Sequence, residues 1–487
     1  MIVKHGRLLT YGLMALLFTA CSKDDEAASY ERLKALESVP VAFGAYVGDA
    51  AGTRAGWPGT IGSADVLATN ASGFGVFGYY TQDKDYPGTK GSTVPWTGTA
   101  PIPNFMYNQQ VNKDALGNWS YTPVKYWPNE TTNDGANGAT MLHRNRVSFF
   151  AYAPYAGALT QNDDDDIVGA TSSANEGTAS GIIAVSGNTY SGNPVITYRL
   201  DPKNQNVDLL WGTAGATDAD ILDTPQSGQH VQYGTPAADG EAPVNINLVK
   251  QKLNGKIAFD FKHTLSKIGD IKIIADINGV GATNTGDGTD ITQTTRITVK
   301  SITITTTDES MPDTGTLDLA TGVWTVTPAT TSHAAFSRIW NTAASTPAND
   351  TYQLSDAIRE SGANLNGTAW DDAMPVGVTY NTLQTVYQDD AANISPILFF
   401  PGTAPKLTFT IDYYVRTVDT ELLNGYSEIE QIVTKRVEMP ALQRGKEYGF
   451  VLRLGLTTVR IEANVTPWSG DTPVDQSVNL PINVANP

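Results

Sequence analysis

Few side chains in this 487-residue chain have a type and spacing suited to chemistry. The first is Cys21, the single cysteine of the sequence. It follows Leu17-Phe18-Thr19-Ala20, the end of a short apolar run that starts at Leu8, after Lys4 and Arg7. A charged start, a brief apolar stretch and small residues at its end make a secretory leader. A thiol directly after those small residues is where a lipoprotein-type signal peptidase would cut and a diacylglycerol would be attached. Several acyl chains, at about 0.8 kcal/mol per buried methylene, anchor a protein stably. The apolar run itself is too short to span a bilayer, which takes about 20 residues. A lone cysteine forms no internal disulfide, so the fold must rest on core burial. The second residue is Arg54, between Thr53 and Ala55-Gly56 in a Gly-rich stretch. Exposed loop tips are preferred sites of proteolysis, although an ordinary loop arginine fits the same pattern.

The remaining constellations lack what chemistry requires. His5, His143, His230, His263 and His333 fall in separate segments, without the paired spacing of a zinc site. His263 lies on a strand and reads as a packed, hydrogen-bonded histidine. Gly73, Gly75 and Gly78 match G-x-G-x-x-G, but Phe74, Val76 and Phe77 alternate with them inside a strand. A dinucleotide site needs those glycines between a strand and a helix. Neither a G-x-S-x-G elbow nor a Walker loop occurs. No acid, base, nucleophile or metal set is legible, so neither a catalytic role nor a cofactor is expected. Asp163-Asp164-Asp165-Asp166 has the oxygen ligands calcium takes but not the EF-hand order, and reads as a solvated acidic loop. Trp96, Trp119, Trp127 and Trp211, with 21 tyrosines, either fill a core or form a row that stacks on sugars.

Composition sets the class. Net charge is -18 and charged residues are 17% of the chain, with no cluster of Lys and Arg. Phosphate backbones need such clusters, so a nucleic-acid partner is not expected. The length exceeds one core and suggests about two domains. With 45 glycines, 26 prolines and segments of alternating polarity, the expected class is all-β with long loops. Residues 39–47 alternate apolar and small side chains and read as the first strand, with Arg54 in the loop after it. Strands are expected at 74–80, 105–111 and 147–154, with 119–121 and 124–128 as hairpin partners. A polar stretch, 161–191, reads as a surface insertion. Near Lys250 the pattern changes and a second set of strands begins at 255. Residues 328–393 read as loops with short elements. Residues 471–487 form an extended tail in which Val478, Leu480, Ile482 and Val484 alternate.

Taken in order, these pieces resemble the fimbrillins, the lipoprotein-derived subunits of type V pili. The resemblance spans nearly the whole chain. It rests on the segment at Cys21, the strand followed by Thr53-Arg54-Ala55, residues 74–80, Tyr126-Trp127-Pro128, 147–154 and Asp208-Leu209-Leu210. Further on it rests on 261–268, 317–324, 397–401, Arg444-Gly445-Lys446-Glu447-Tyr448 and Val465-Thr466-Pro467-Trp468. It implies two tandem transthyretin-like β-sandwich domains. The chain then divides into a signal peptide at 1–20, a lipid-anchored propeptide at 21–54, and sandwiches at 55–250 and 251–487. It also implies an outer-membrane lipoprotein precursor, cleavage between Arg54 and Ala55 by an arginine-specific protease, and polymerisation with other fimbrial subunits by strand exchange. The tail, through Val478, Leu480, Ile482 and Val484, suits the donor role. The competing expectation is a monomeric surface lipoprotein that binds glycans through its aromatic side chains.

Overall fold

Runs such as FGVFGYY and VSFFAYA carry apolar residues at successive positions. Successive side chains of a strand point to opposite faces, so such runs belong to strands covered on both sides. In a computed structural model of the chain, the residues described are 39–47, 67, 73–82, 86, 100–128, 146–157, 160–161, 167–168, 181–200, 208–214, 232–233, 244–248, 256–276, 294–306, 311–326, 337–342, 351–355, 358, 377–378, 380, 382–387, 397–468, 478–479 and 483–485.

All the elements they form are strands, and the fold is all-β. The chain runs through β1 (Phe43–Val47), β2 (Phe74–Gln82), β3 (Met106–Lys113), β4 (Trp119–Ser120) and β5 (Arg146–Ala153). Next come β6 (Thr160–Gln161), β7 (Ile167–Val168), β8 (Gly181–Val185), β9 (Val195–Arg199) and β10 (Leu210–Ala214). Then follow β11 (Gln232–Tyr233), β12 (Asn245–Leu248), β13 (Ile257–His263), β14 (Ser266–Ala275) and β15 (Thr295–Thr306). β16 (Thr314–Asp318), β17 (Trp324–Val326), β18 (Ser337–Asn341), β19 (Thr351–Gln353), β20 (Gln384–Tyr387) and β21 (Ile397–Phe399) lead to the long hairpin β22 (Lys406–Val418) and β23 (Tyr426–Glu438). Last are β24 (Lys446–Leu454), β25 (Val459–Pro467), β26 (Val478–Asn479) and β27 (Asn483–Ala485).

A nine-stranded sheet has the order β1-β13-β10-β5-β2-β3-β4, with β12 and β11 attached to β5. Both of its faces are covered. One side buries Phe74, Val76, Phe149, Leu210, Phe259 and Phe261. The other buries Phe77, Tyr79, Phe150, Tyr152, Leu209 and Trp211 against Ile196, Tyr198, Leu317 and Phe400. Those partners come partly from a four-stranded sheet, β17-β16-β9-β8, in which β9 pairs with β16 across a long stretch of chain. Two six-stranded sheets, β20-β14-β24-β25-β26 with β21 on β14, and β19-β18-β15-β22-β23-β27, enclose a third core. Ile271, Ile273, Phe450 and Leu452 of one meet Ile302, Ile304, Phe409 and Ile411 of the other, a sandwich.

Two placements differ from the sequence expectation. Residues 124–128 are not a hairpin partner for β3; Pro40 bridges Tyr126 instead. β13 begins after residue 250 yet pairs with β1 and β10 in the first sheet. Only Thr264 and Leu265, both buried, separate it from β14 in the sandwich.

Candidate functional site

Residues 39–47, sequence VPVAFGAYV, hold the most telling position in the molecule. Their polarity alternates, and burial follows it. Val39, Val41, Phe43 and Val47 are at most 3% exposed, while Tyr46 on the other face is 48% exposed. Its two halves meet walls on opposite sides, 42–47 against β13 and 39–41 against 125–127. β1 lies parallel to β13, from Phe43 opposite Ile257 to Val47 opposite Phe261, and Ile257 N–H donates to the Ala42 carbonyl at 2.8 Å. On the other side the chain just past β4 supplies antiparallel bonds. Val41 N–H donates to the Lys125 carbonyl at 2.8 Å, and Trp127 N–H donates to the Val39 carbonyl at 2.9 Å. Residues 39–47 therefore tie one end of the nine-stranded sheet to the chain that leaves its other end.

Aromatic rings line the seat. The Phe43 ring lies 5.4 Å from Tyr121, 5.6 Å from Phe149 and 5.8 Å from Phe259. Trp127 meets Phe149 edge-on at 5.9 Å. Such pairs add roughly 0.5–1.5 kcal/mol each beyond area burial. The Tyr121 hydroxyl donates to the Val41 carbonyl at 2.7 Å and accepts from Lys125 N–H at 3.3 Å. Burial pushes the Tyr121 phenol up to about 12, against a backbone hydrogen bond to Lys125 that lowers it. The arrangement offers no reacting group. It offers an apolar slot with backbone donors and acceptors on two sides, which is chemistry for holding an extended peptide.

No family model matches the chain. Over 428 residues it is 22% identical to Fimbrium subunit Fim1C of Phocaeicola vulgatus, covering 87% of this chain and 88% of that one. The crystal structure of a fimbrial protein from Bacteroides vulgatus superposes with a TM-score of 0.53 at 18% identity, over 88% of this chain and 99% of that one. The chain is thus similar in sequence to a fimbrium subunit and in fold to a fimbrial protein.

The other residues singled out from sequence are placed as follows. Cys21, Arg54, Ala55, Leu480 and Ile482 lie outside the described residues, as do His5, His143, His230, His333, Trp96 and residues 163–166. Val478 falls in β26, which pairs antiparallel with the end of β25, Val478 opposite Val465. Val484 falls in β27, which pairs antiparallel with the end of β23, Val484 opposite Val437. The tail thus touches the edges of both six-stranded sheets. His263 is a packed histidine, as read from sequence. Its Nδ1 is 2.8 Å from Asp208 Oδ2, and its ring stacks on Trp468 at 4.1 Å. Lys267, also buried, ion-pairs with Glu447 at 3.1 Å and caps the same indole at 4.8 Å. Gly73 and Gly75 serve strand contact rather than phosphate. A Cβ at Gly73, where φ is +79°, would run into the Val111 carbonyl, and one at Gly75 would meet the Tyr152 ring. Trp127 and Trp211 are buried and so present no face to a sugar. Among the described residues no group of three or more His, Cys, Asp or Glu could hold a metal ion.

Sequence reading missed the second wall of the slot. Lys125-Tyr126-Trp127 carries a strand signal, but nothing in it names residues 39–41 as the partner. Tyr121 was visible only as one aromatic among many.

Proposed function

We propose that this chain is a structural, non-catalytic subunit of a cell-surface fimbria that serves adhesion. It is exported as a lipoprotein held to the outer membrane through Cys21. An arginine-specific protease cuts between Arg54 and Ala55, residues 39–47 leave their slot, and an extended segment of another subunit takes their place. The donor segment is the tail, through Val478, Leu480, Ile482 and Val484.

The observation that carries this reading is the double-walled seat of residues 39–47, seven residues before Arg54. Removing that strand takes their strand partners from the outer edge of β13, the Lys125 carbonyl and the Trp127 N–H. Unpaired edges are templates for another chain. It also uncovers the pockets of four fully buried side chains. Refilling them with apolar groups, at about 1.5–3 kcal/mol each, yields on the order of 6–12 kcal/mol before ordering costs. The likeness to Fimbrium subunit Fim1C along most of both chains supports the fimbrial role.

The test is expression of the full chain with an arginine-specific protease. Wild type is expected to lose its first 54 residues and run as an SDS-resistant ladder, whereas Arg54→Ala stays full-length and monomeric. Cleavage at the same bond in the variant, or ladders from uncut chain, overturns the maturation step. Ladders unchanged after deletion of residues 471–487 overturn the donor assignment.

A further inference from the structure

The slot is lined mostly by side chains that recognise only bulk and polarity, so something else must decide where along it a strand comes to rest. A one-residue slip turns every side chain of a strand to the wrong face, and a two-residue slip moves each into its neighbour's pocket. In a wall made of repeating N–H and C=O groups, each two-residue step looks alike. One polar side chain breaks that repetition. The Tyr121 hydroxyl reaches the Val41 carbonyl at 2.7 Å, while the carbonyl of Lys125 in its own wall is 3.4 Å away. The same oxygen accepts from Lys125 N–H at 3.3 Å. Wall and strand are therefore joined through a single phenol. Its ring lies 5.4 Å from Phe43, two residues further along.

We infer that Tyr121 is the register latch of the slot, for the resident strand and for any strand that replaces it. This rests on the reading of the slot as a strand-exchange site. The hydroxyl holds a main-chain carbonyl, so it makes no demand on the side chain at the latched residue. The ring then measures the side chain two residues on and favours a large apolar one. The partner it fits is an extended peptide with a bulky apolar residue two positions after the latched carbonyl. The tail meets that requirement twice, with Leu480 after Val478 and Ile482 after Leu480. The phenol stays protonated, and so able to donate, through the neutral and mildly alkaline range.

The test uses the full chain and two readouts. Hydrogen–deuterium exchange compares residues 39–47 in wild type, in Tyr121→Phe and in Tyr126→Phe. Tyr126, five residues on and 54% exposed, serves as the control. Loss of one hydrogen bond is expected to speed exchange of 39–47 about five- to tenfold in Tyr121→Phe and to leave the control unchanged. The second readout reports register, which a merely structural role would not move. In a Cys21→Ser background, Tyr46→Cys with Asp260→Cys reports the observed alignment, in which Tyr46 lies opposite Asp260. Tyr46→Cys with Lys262→Cys reports a two-residue slip. The slipped pair is expected to cross-link only when Tyr121→Phe is also present. Exchange within about twofold of wild type, or no slipped cross-link, overturns the latch. If 39–47 exchange only together with the rest of the nine-stranded sheet in every variant, the strand does not open separately. That result overturns the strand-exchange reading itself.

Discussion

Both ends of the described chain lie on sheet edges, and they do so differently. Residues 42–47 have β13 on one side and residues 39–41 have 125–127 on the other, and Val39, Val41, Phe43 and Val47 are buried. The tail pairs through two residues of β26 with one sheet and three of β27 with another. Each tail strand has a single described neighbour, β25 or β23. An element bonded on both sides leaves an unfilled slot when it goes. An element added to one edge leaves the sandwich core behind it, since Phe409, Ile411, Phe450 and Leu452 pack between sheets whose other strands remain. This asymmetry suits a subunit that loses its first strand by cutting the chain and lends its tail without cutting it.

The contrast can be broken most directly at Phe43. Phe43→Ala in the uncut chain is expected to cost about 3–5 kcal/mol, because the aromatic cluster around it cannot collapse to fill the space. Denaturant titration measures it, and a loss under about 1 kcal/mol would mean that the slot is loosely filled. Deleting residues 471–487 tests the other side of the comparison. Its expected cost is about 2.5 kcal/mol, since the five described backbone pairs lie at sheet edges, where each is worth roughly 0.5 kcal/mol net. A larger loss would place the tail on a par with the first strand. Equal costs for the two changes would remove the asymmetry.

The smallest expected effect is alkaline. Burial raises the phenols of Tyr121, against the first strand, and Tyr413, in the sandwich that carries the tail, each to about 12. The ordinary value is about 10. A phenol raised in the folded state favours folding while it is neutral. Its contribution is whole below pH 10 and is lost as pH rises toward 12. The protection of residues 39–47, taken relative to the base-catalysed intrinsic exchange rate, should therefore fall over that window in wild type and fall less in Tyr121→Phe. The Tyr413 hydroxyl donates to the Gly455 carbonyl at 2.9 Å, so Tyr413→Phe should blunt the alkaline response of the sandwich and leave that of 39–47 alone. A shared response of both regions to either substitution would show that they open as one unit.

Much of the fold is legible residue by residue. The alternation in 39–47 marks a strand with one apolar side, and burial follows it position by position. Continuous apolar runs in 74–80 and 147–154 mark strands covered on both faces. His263 is legible as a packed residue because it falls in phase with Phe259 and Phe261 on a strand. Other features are hidden. The strands at 337–341 and 351–353 fall in a stretch of Ala, Thr and Asn that reads only as loops with short elements, because short strands take their stability from neighbours rather than from propensity. The tail reads as one alternating strand, yet its two paired pieces lie on different sheets.

Sequence by itself determines that the chain is all-β, acidic and without a legible catalytic set, and that residues 39–47 are a strand with one apolar face. Period-two patterning and composition are local properties, so they are written in the order of residues. Only the tertiary structure decides that this strand lies parallel to β13, more than 200 residues later, and antiparallel to 125–127. Backbone donors and acceptors are the same at every residue, so no local pattern names the edge a strand will join. That choice is made where side chains from distant segments fill one core, here Phe43 among Tyr121, Phe149 and Phe259.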